Sequence, residues 1–293
     1  MRELAEQVIA GIAAGGIYAS LALALVLIYR AMGLINFAQG EFAMFTAFIC
    51  WALLQGAQLP FALAVAIAVG LGAAGAFAIE RLIVRPFERG SPLVIIIVTL
   101  ALFEIVNSVA GFVWGYSPRS FPSPFPARPV DIGGILVSIQ DAAVIGVSLL
   151  TLILLYLLFN RTKLGLAMRA AALYPEVSEL LGVRTGVMLG LGWGLASAVG
   201  AISGILVAPR ILLEPNMMQG VIIYAFAAAV LGGIDSPLGA VVGGLMLGVL
   251  LALIGAYLPA LADLRLALSL LLIVVLLVAR PSGLFGRHQA RRV

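Results

Sequence analysis

Residues 92–114 read PLVIIIVTLALFEIVNSVAGFVW, and Glu104 is the one ionisable side chain among them. A helix of this length and apolarity crosses about 30 Å of hydrocarbon, which needs roughly 20 residues. Runs of the same kind recur at 8–29, 34–56, 60–84, 141–159, 185–208, 217–232, 238–258 and 262–279. The 293-residue chain is 63% hydrophobic with mean hydropathy +1.18, and only 10% of it is charged; a soluble domain carries about 25%. The pattern predicts an all-α, polytopic transmembrane helical bundle of about eight or nine spans, organised as a single transmembrane domain over 1–293. The run 217–232 is short enough for a re-entrant half-helix. The opening MRELAEQVIAG has no A-x-A cleavage site and leads into further spans, so it reads as the first membrane helix and not as a signal peptide.

Composition removes several function classes. Cys50 is the only cysteine and His288 the only histidine, which argues against a disulfide, a Cys/His metal cluster and a Ser-His-Asp triad. No catalytic residue, metal ligand or cofactor is assigned. Net charge +4 and a pI near 9.6 do not point to nucleic acid, because the basic residues sit between spans. Arg81, Arg85 and Arg89 share one loop; Arg161, Lys163, Arg169 and Arg184 share another; Arg280, Arg287, Arg291 and Arg292 are in the tail. The positive-inside rule places all three groups in the cytoplasm. The loop 115–140 has five prolines and Asp131 against Arg119 and Arg128, and is expected to be external, extended and irregular. These anchors put the amino terminus outside and the carboxyl terminus inside. That requires an odd number of crossings, and nine fits.

Polar groups inside the apolar runs are the candidates for function. GLINFAQGEF (33–42) sets Asn36, Gln39 and Glu41 beside Gly33 and Gly40. An offset of 199 residues lays GLINFAQG over GGIDSPLG (232–239), matching Gly33 with Gly232, Ile35 with Ile234, Asn36 with Asp235 and Gly40 with Gly239. Many transporters are internal repeats whose interrupted helices line the route, and irregular backbone at depth survives only where protein or a water-filled cavity satisfies it. Asn36, Gln39, Gly40, Glu41, Gly232, Gly233, Asp235, Ser236 and Gly239 are therefore the candidate pathway residues. Chance matching and ordinary cytoplasmic turns are the alternatives, and helix capping is the alternative for Glu41. Glu104, Asn107 and Ser108 lie at i, i+3 and i+4 on one helix face. This intramembrane polar stripe serves either function or helix association.

The loop 160–184, NRTKLGLAMRAAALYPEVSELLGVR, is the longest cytoplasmic connection. Pro175 suits the first position of a short helix and Gly182 the position just past its end. Over 176–181, Val177, Leu180 and Leu181 face one way and Glu176 and Glu179 another. Such a helix is a docking surface, or else it lies among lipid headgroups. The loop resembles the cytoplasmic coupling loop of permeases of branched-chain amino acid ABC importers. The carriers of the likeness are Gly165, Arg169-Ala170, Glu176-Val177-Ser178 and Leu180-Leu181-Gly182, with Val177-Ser178 where Ala-Ala is usual. INFAQGEF (35–42) is similar to the family's most diagnostic motif, with Gln39 where His is frequent. ERLIVRPFERG (80–90), VLGGIDSPLGAVVGG (230–244) and RPSGLFG (280–286) resemble further family segments.

The resemblance implies an inner-membrane, multi-pass subunit that is not itself an enzyme. It implies a related second permease subunit, two cytoplasmic ABC ATPases, a periplasmic amino-acid-binding protein and membrane lipid as partners. Gly165, Arg169, Glu176, Glu179, Leu180, Leu181 and Gly182 would make the coupling contacts. An ATPase needs G-x-x-x-x-G-K-[ST], and the one lysine, Lys163, lies in NRTKLG. Urea or short amides are an alternative cargo within the family. A proton-coupled secondary transporter using Glu104, Glu41 or Asp235 is the rival from another class, and an intramembrane enzyme is a third.

Overall fold

The computed structural model describes residues 2–33, 35–87, 91–125, 128–280 and 282–286. Arg89, Arg287, His288, Arg291 and Arg292, invoked above for sidedness and metal chemistry, lie outside the described residues, as do Leu34, Glu88, Gly90 and Pro281 within the motifs.

Every apolar run contains a helix. In chain order these are α1 (Arg2–Met32), α2 (Gln39–Gln55), α3 (Phe61–Ile79), α4 (Pro92–Trp114), α5 (Ile139–Arg161), α6 (Lys163–Leu173), α7 (Pro175–Leu180), α8 (Thr185–Ile211), α9 (Met217–Gly232), α10 (Pro237–Tyr257), α11 (Pro259–Ala262) and α12 (Arg265–Ala279). A π-helical turn, Glu80–Val84, and a 3-10 turn, Arg85–Phe87, extend α3. Among the described residues, six helices are long and apolar enough to cross a membrane; α9 and α12 are shorter apolar helices. The run 34–56 is not helical throughout, because α2 begins only at Gln39 and holds 17 residues.

Two local expectations are corrected. The loop 115–140 is not wholly irregular: β1 (Pro129–Ile132) and β2 (Ile135–Ser138) pair antiparallel with Ile132 opposite Ile135. The two-residue turn is Gly133-Gly134, at φ +66° and +85°, the geometry that lets a tight hairpin follow strand twist. Asp131 Oδ1 accepts from the Gly134 N–H at 2.6 Å. The cytoplasmic loop holds two helices where one is expected. Thr162 caps α6 by accepting from the Gly165 N–H at 3.0 Å, satisfying one of the unpaired amides at a helix start.

The chain divides into two compact units. One comprises Met1–Val26, Phe125–Leu149 and Gly220–Val293, the other Leu27–Pro124 and Leu150–Gln219. The core of the first is built of Ala22, Val26, Ala227, Ala228, Ala229, Val230, Leu247, Leu251 and Ile273. Tyr18 and Tyr224 meet there with ring centroids 5.2 Å apart. In the second unit α8 packs on α2 and α3 through small residues. A Cβ on Gly204 would stand 2.6 Å from the Ala43 carbonyl oxygen, and one on Gly200 2.8 Å from Gln39 Nε2. Glycine here sets how closely the helix axes approach.

Segments expected on one side of the membrane meet one another. Glu6 accepts from the Leu136 N–H at 2.9 Å. Arg119 and Leu213 exchange backbone hydrogen bonds at 2.9 and 2.8 Å, and Trp51 Nε1 donates to the Ser120 carbonyl at 3.2 Å. At the expected cytoplasmic end, the Leu284 and Phe285 N–H groups donate to the Leu231 and Gly232 carbonyls at 2.9 and 3.0 Å. The GLFG of the tail thereby closes the carboxyl end of α9, whose last carbonyls lack helical partners.

Candidate functional site

Burial of polar side chains marks the start of α2. Asn36, Gln39 and Glu41 are 1%, 0% and 0% exposed, although each carries groups that cost free energy when removed from water unpaired. Asn36 Oδ1 accepts from the Ala38 N–H at 3.0 Å, so the local cap comes from Asn36. Gln39 Nε2 donates to the Ala196 carbonyl at 2.7 Å. Ala196 lies well inside the 27-residue α8, about 16 Å from its start at 1.5 Å per residue. The polar break before α2 is therefore at the depth of the middle of α8.

Glu41 reaches across to α4. Its Oε2 accepts from Asn107 Nδ2 at 3.2 Å, a hydrogen bond between helices and not to the amides of its own first turn. Asn107 Nδ2 also stands 3.0 Å from the Pro215 carbonyl and 3.2 Å from Asn216 Oδ1. Asn216 Oδ1 in turn accepts from Gln219 Nε2 at 3.0 Å. Stacking of Phe48 on Trp114, with centroids 4.9 Å apart, holds α4 against α2. Within this cluster Asn36 Nδ2, Gln39 Oε1 and Glu41 Oε1 have no hydrogen-bond partner among the described residues. Orphaned buried polar atoms so concentrated call for an explanation, and contact with water or a polar solute is one.

The intramembrane stripe is divided: Asn107 is buried in this network, while Glu104 and Ser108 are exposed. Pro215 and Asn216, which the sequence reading did not single out, complete it. Their signal is of the same kind as that of the 36–41 patch, since EPN (214–216) is a polar stretch between the apolar runs 185–208 and 217–232.

The second glycine motif is in the other unit and is built differently. Gly232, Gly233 and Gly239 are buried, Ser236 is half-buried and Asp235 is exposed. Gly233 has φ +104°, a region open to glycine with little cost. Ser236 caps α10 by accepting from the Gly239 N–H at 3.0 Å.

The residues expected to make coupling contacts lie on and just beyond α6 and α7. Pro175 opens α7; beyond its end Gly182 has φ +83°, and the Gly182 and Val183 N–H groups donate to the Glu179 and Ser178 carbonyls, both at 2.9 Å. This closure satisfies terminal carbonyls. Glu179 Oε1 accepts from Thr185 Oγ1 at 2.5 Å, while Glu176 is exposed. Leu180 and Leu181 are 87% and 79% exposed and Val177 is 54% exposed. Gly165 is buried against the Leu158 carbonyl. Arg169 is half-buried with Nε unpartnered among the described residues.

The family described as branched-chain amino acid transport system, permease component, matches residues 7–278. The chain belongs to this family. It is 28% identical to the high-affinity branched-chain amino acid transport system permease protein BraD of Pseudomonas aeruginosa, over 98% of this chain and 97% of that one. It has the same identity and coverage with the permease protein LivH of Escherichia coli. With a probable branched-chain amino acid transport permease protein LivH of Methanocaldococcus jannaschii it is again 28% identical, over 91% of this chain and 87% of the relative. Family and apolar helices together make this permease a multi-pass protein of the bacterial inner membrane and a transport subunit, not an enzyme. A permease of this type works within an ABC transport system that has further subunits.

Proposed function

We propose that this permease is one of two membrane subunits of an ATP-driven importer of branched-chain amino acids, paired with a related permease. Two cytoplasmic ATPases drive it and a periplasmic amino-acid-binding protein loads it. The relatives are named for branched-chain amino acid transport, and the chain has no Walker A sequence of its own.

One observation carries the coupling half of the reading: α7, bracketed by Pro175 and Gly182, leaves Val177, Leu180 and Leu181 uncovered by the rest of the chain. Exposed apolar side chains on a rigid turn are costly unless a partner covers them. In this reading the ATPases cover them, with Arg169, Glu176 and Glu179 as flanking polar contacts and Gly165 and Gly182 fixing the backbone. ATP binding favours the conformation in which the paired ATPases hold α7 closer, which shifts the transport equilibrium. Each unit contributes its own candidate pathway element: Asn36, Gln39, Gly40 and Glu41, with Asn107 supporting Glu41, in one, and Gly232, Gly233, Asp235, Ser236 and Gly239, taken by itself, in the other. Few charges along the route suit a permease that must release its solute, selectivity residing in the binding protein.

The test is leucine uptake by proteoliposomes holding the permease, its paired subunit, both ATPases and the binding protein. ATP-dependent uptake that disappears when any component is omitted is expected. Uptake by this chain alone under a proton gradient would overturn the assignment.

A further inference from the structure

The surroundings of Asn107 Nδ2 are unusual. The nitrogen has two hydrogens, yet Glu41 Oε2, the Pro215 carbonyl and Asn216 Oδ1 stand 3.2, 3.0 and 3.2 Å from it. Asn216 Oδ1 takes a further bond from Gln219, and Glu41 Oε1, wholly buried, has no partner among the described residues. Three acceptors thus surround one NH2 group that has two hydrogens to give, and the ionisable side chain among them is an acid. An amide NH2 serves two acceptors, whereas a primary ammonium carries three N–H donors and a positive charge. Ammonium-to-carboxylate hydrogen bonds are roughly twice as strong as neutral ones. Asn216 and Gln219 are exposed, so the nest reaches the surface of its unit on that side.

We propose that Glu41, the Pro215 carbonyl and Asn216 form a receptor for the primary ammonium group of the transported solute. The Asn107 amide holds the place of that group until the solute displaces it. The inference rests on the reading of the Asn36–Glu41 break as part of the route, and it specifies what the break recognises: a zwitterion by its amino end. An alkali cation presents the same single positive charge to the same oxygens, and the test separates the two.

Leucine uptake and binding-protein-stimulated ATP hydrolysis are measured side by side in the reconstituted full complex, in sodium and in choline buffers. The wild type is compared with Glu41→Gln, Glu41→Asp and Asn216→Leu. The receptor predicts that Glu41→Gln lowers uptake about tenfold or more, as expected for loss of a charged partner, while hydrolysis remains stimulated. Glu41→Asp regains part of the uptake, Asn216→Leu loses several-fold, and choline changes nothing. Wild-type uptake in Glu41→Gln overturns the proposal, as does a parallel loss of uptake and hydrolysis in Glu41→Gln and Asn216→Leu, which marks a structural role. Uptake that requires sodium assigns the nest to an alkali ion and overturns the ammonium assignment. A wild-type complex that fails to import leucine with ATP refutes instead the importer reading on which this one stands.

Discussion

At the scale of single residues, Asn107 and Gly200 show opposite ways of holding a membrane helix pair. Asn107 joins α4 to Glu41 of α2 and to Pro215 and Asn216 through one nitrogen. Replacing it by leucine leaves buried acceptors without a donor, at a cost of about 1–3 kcal/mol. Asn107→Leu is therefore expected to lower the thermal midpoint of the detergent-solubilised permease, which a thiol-independent unfolding assay reads directly. Gly200 works by having no side chain, since a Cβ there meets Gln39 Nε2 at 2.8 Å. Gly200→Val is expected to destabilise α2 against α8 by about 1–3 kcal/mol, the usual cost of overpacking. The same assay checks it, and an unchanged midpoint would contradict the packing described. Neither residue's partner was legible beforehand. Spacing placed Asn107 on a stripe with Glu104 and Ser108, but which edge of the stripe turns inward depends on where α2 lies, and local periodicity carries no record of that.

At the scale of elements, α7 depends on how it stops. Gly182 adopts φ +83°, and a residue with a Cβ there costs about 1–2 kcal/mol. Gly182→Val is expected to tilt or fray α7 and to reduce leucine-stimulated ATP hydrolysis several-fold, while the basal hydrolysis of the ATPases is unchanged. Equal stimulation in the variant would show that the closure is dispensable. This element was largely legible: Pro175 and Gly182 bracket it in the sequence, and their physical roles do not depend on tertiary context. The preceding α6 is less legible: KLGLAMRAAAL lies in a basic loop between spans, with no proline opening it and no glycine just past its end to mark its bounds. The hairpin β1–β2 is obscured in another way. Five prolines dominate 115–140, yet four of them precede β1 and only Pro129 enters a strand, at its first residue, where a missing N–H is tolerated. The apolar run 34–56 begins ahead of α2 because hydropathy counts Ile35 and Phe37 alike, whether or not Asn36 has taken the local backbone amide; the polar break at 33–42 is what marks the later start at Gln39.

At the scale of the whole molecule, the sidedness inferred from arginine and lysine makes a separable claim. Cys50 is the only cysteine and is fully buried, so Cys50→Ser gives a background without competing thiols. In it, Tyr116→Cys is expected to react with a membrane-impermeant maleimide from outside intact cells, and Leu181→Cys only after the membrane is opened. Reversal of the pattern would overturn the topology and move α7 away from any cytoplasmic ATPase. The proposed division of labour rests on two features: polar atoms without a partner among the described residues at the start of α2, and exposed apolar side chains on α7. The most direct measurement is leucine-stimulated ATP hydrolysis by the reconstituted complex with Leu180→Asp in this permease. A charge on the 87%-exposed Leu180 leaves the fold of the chain intact and should abolish stimulation, because a desolvated carboxylate without a partner is not tolerated at an apolar contact. Full stimulation in the Leu180→Asp complex would contradict the account, since the ATPases would then be driving transport through some other surface.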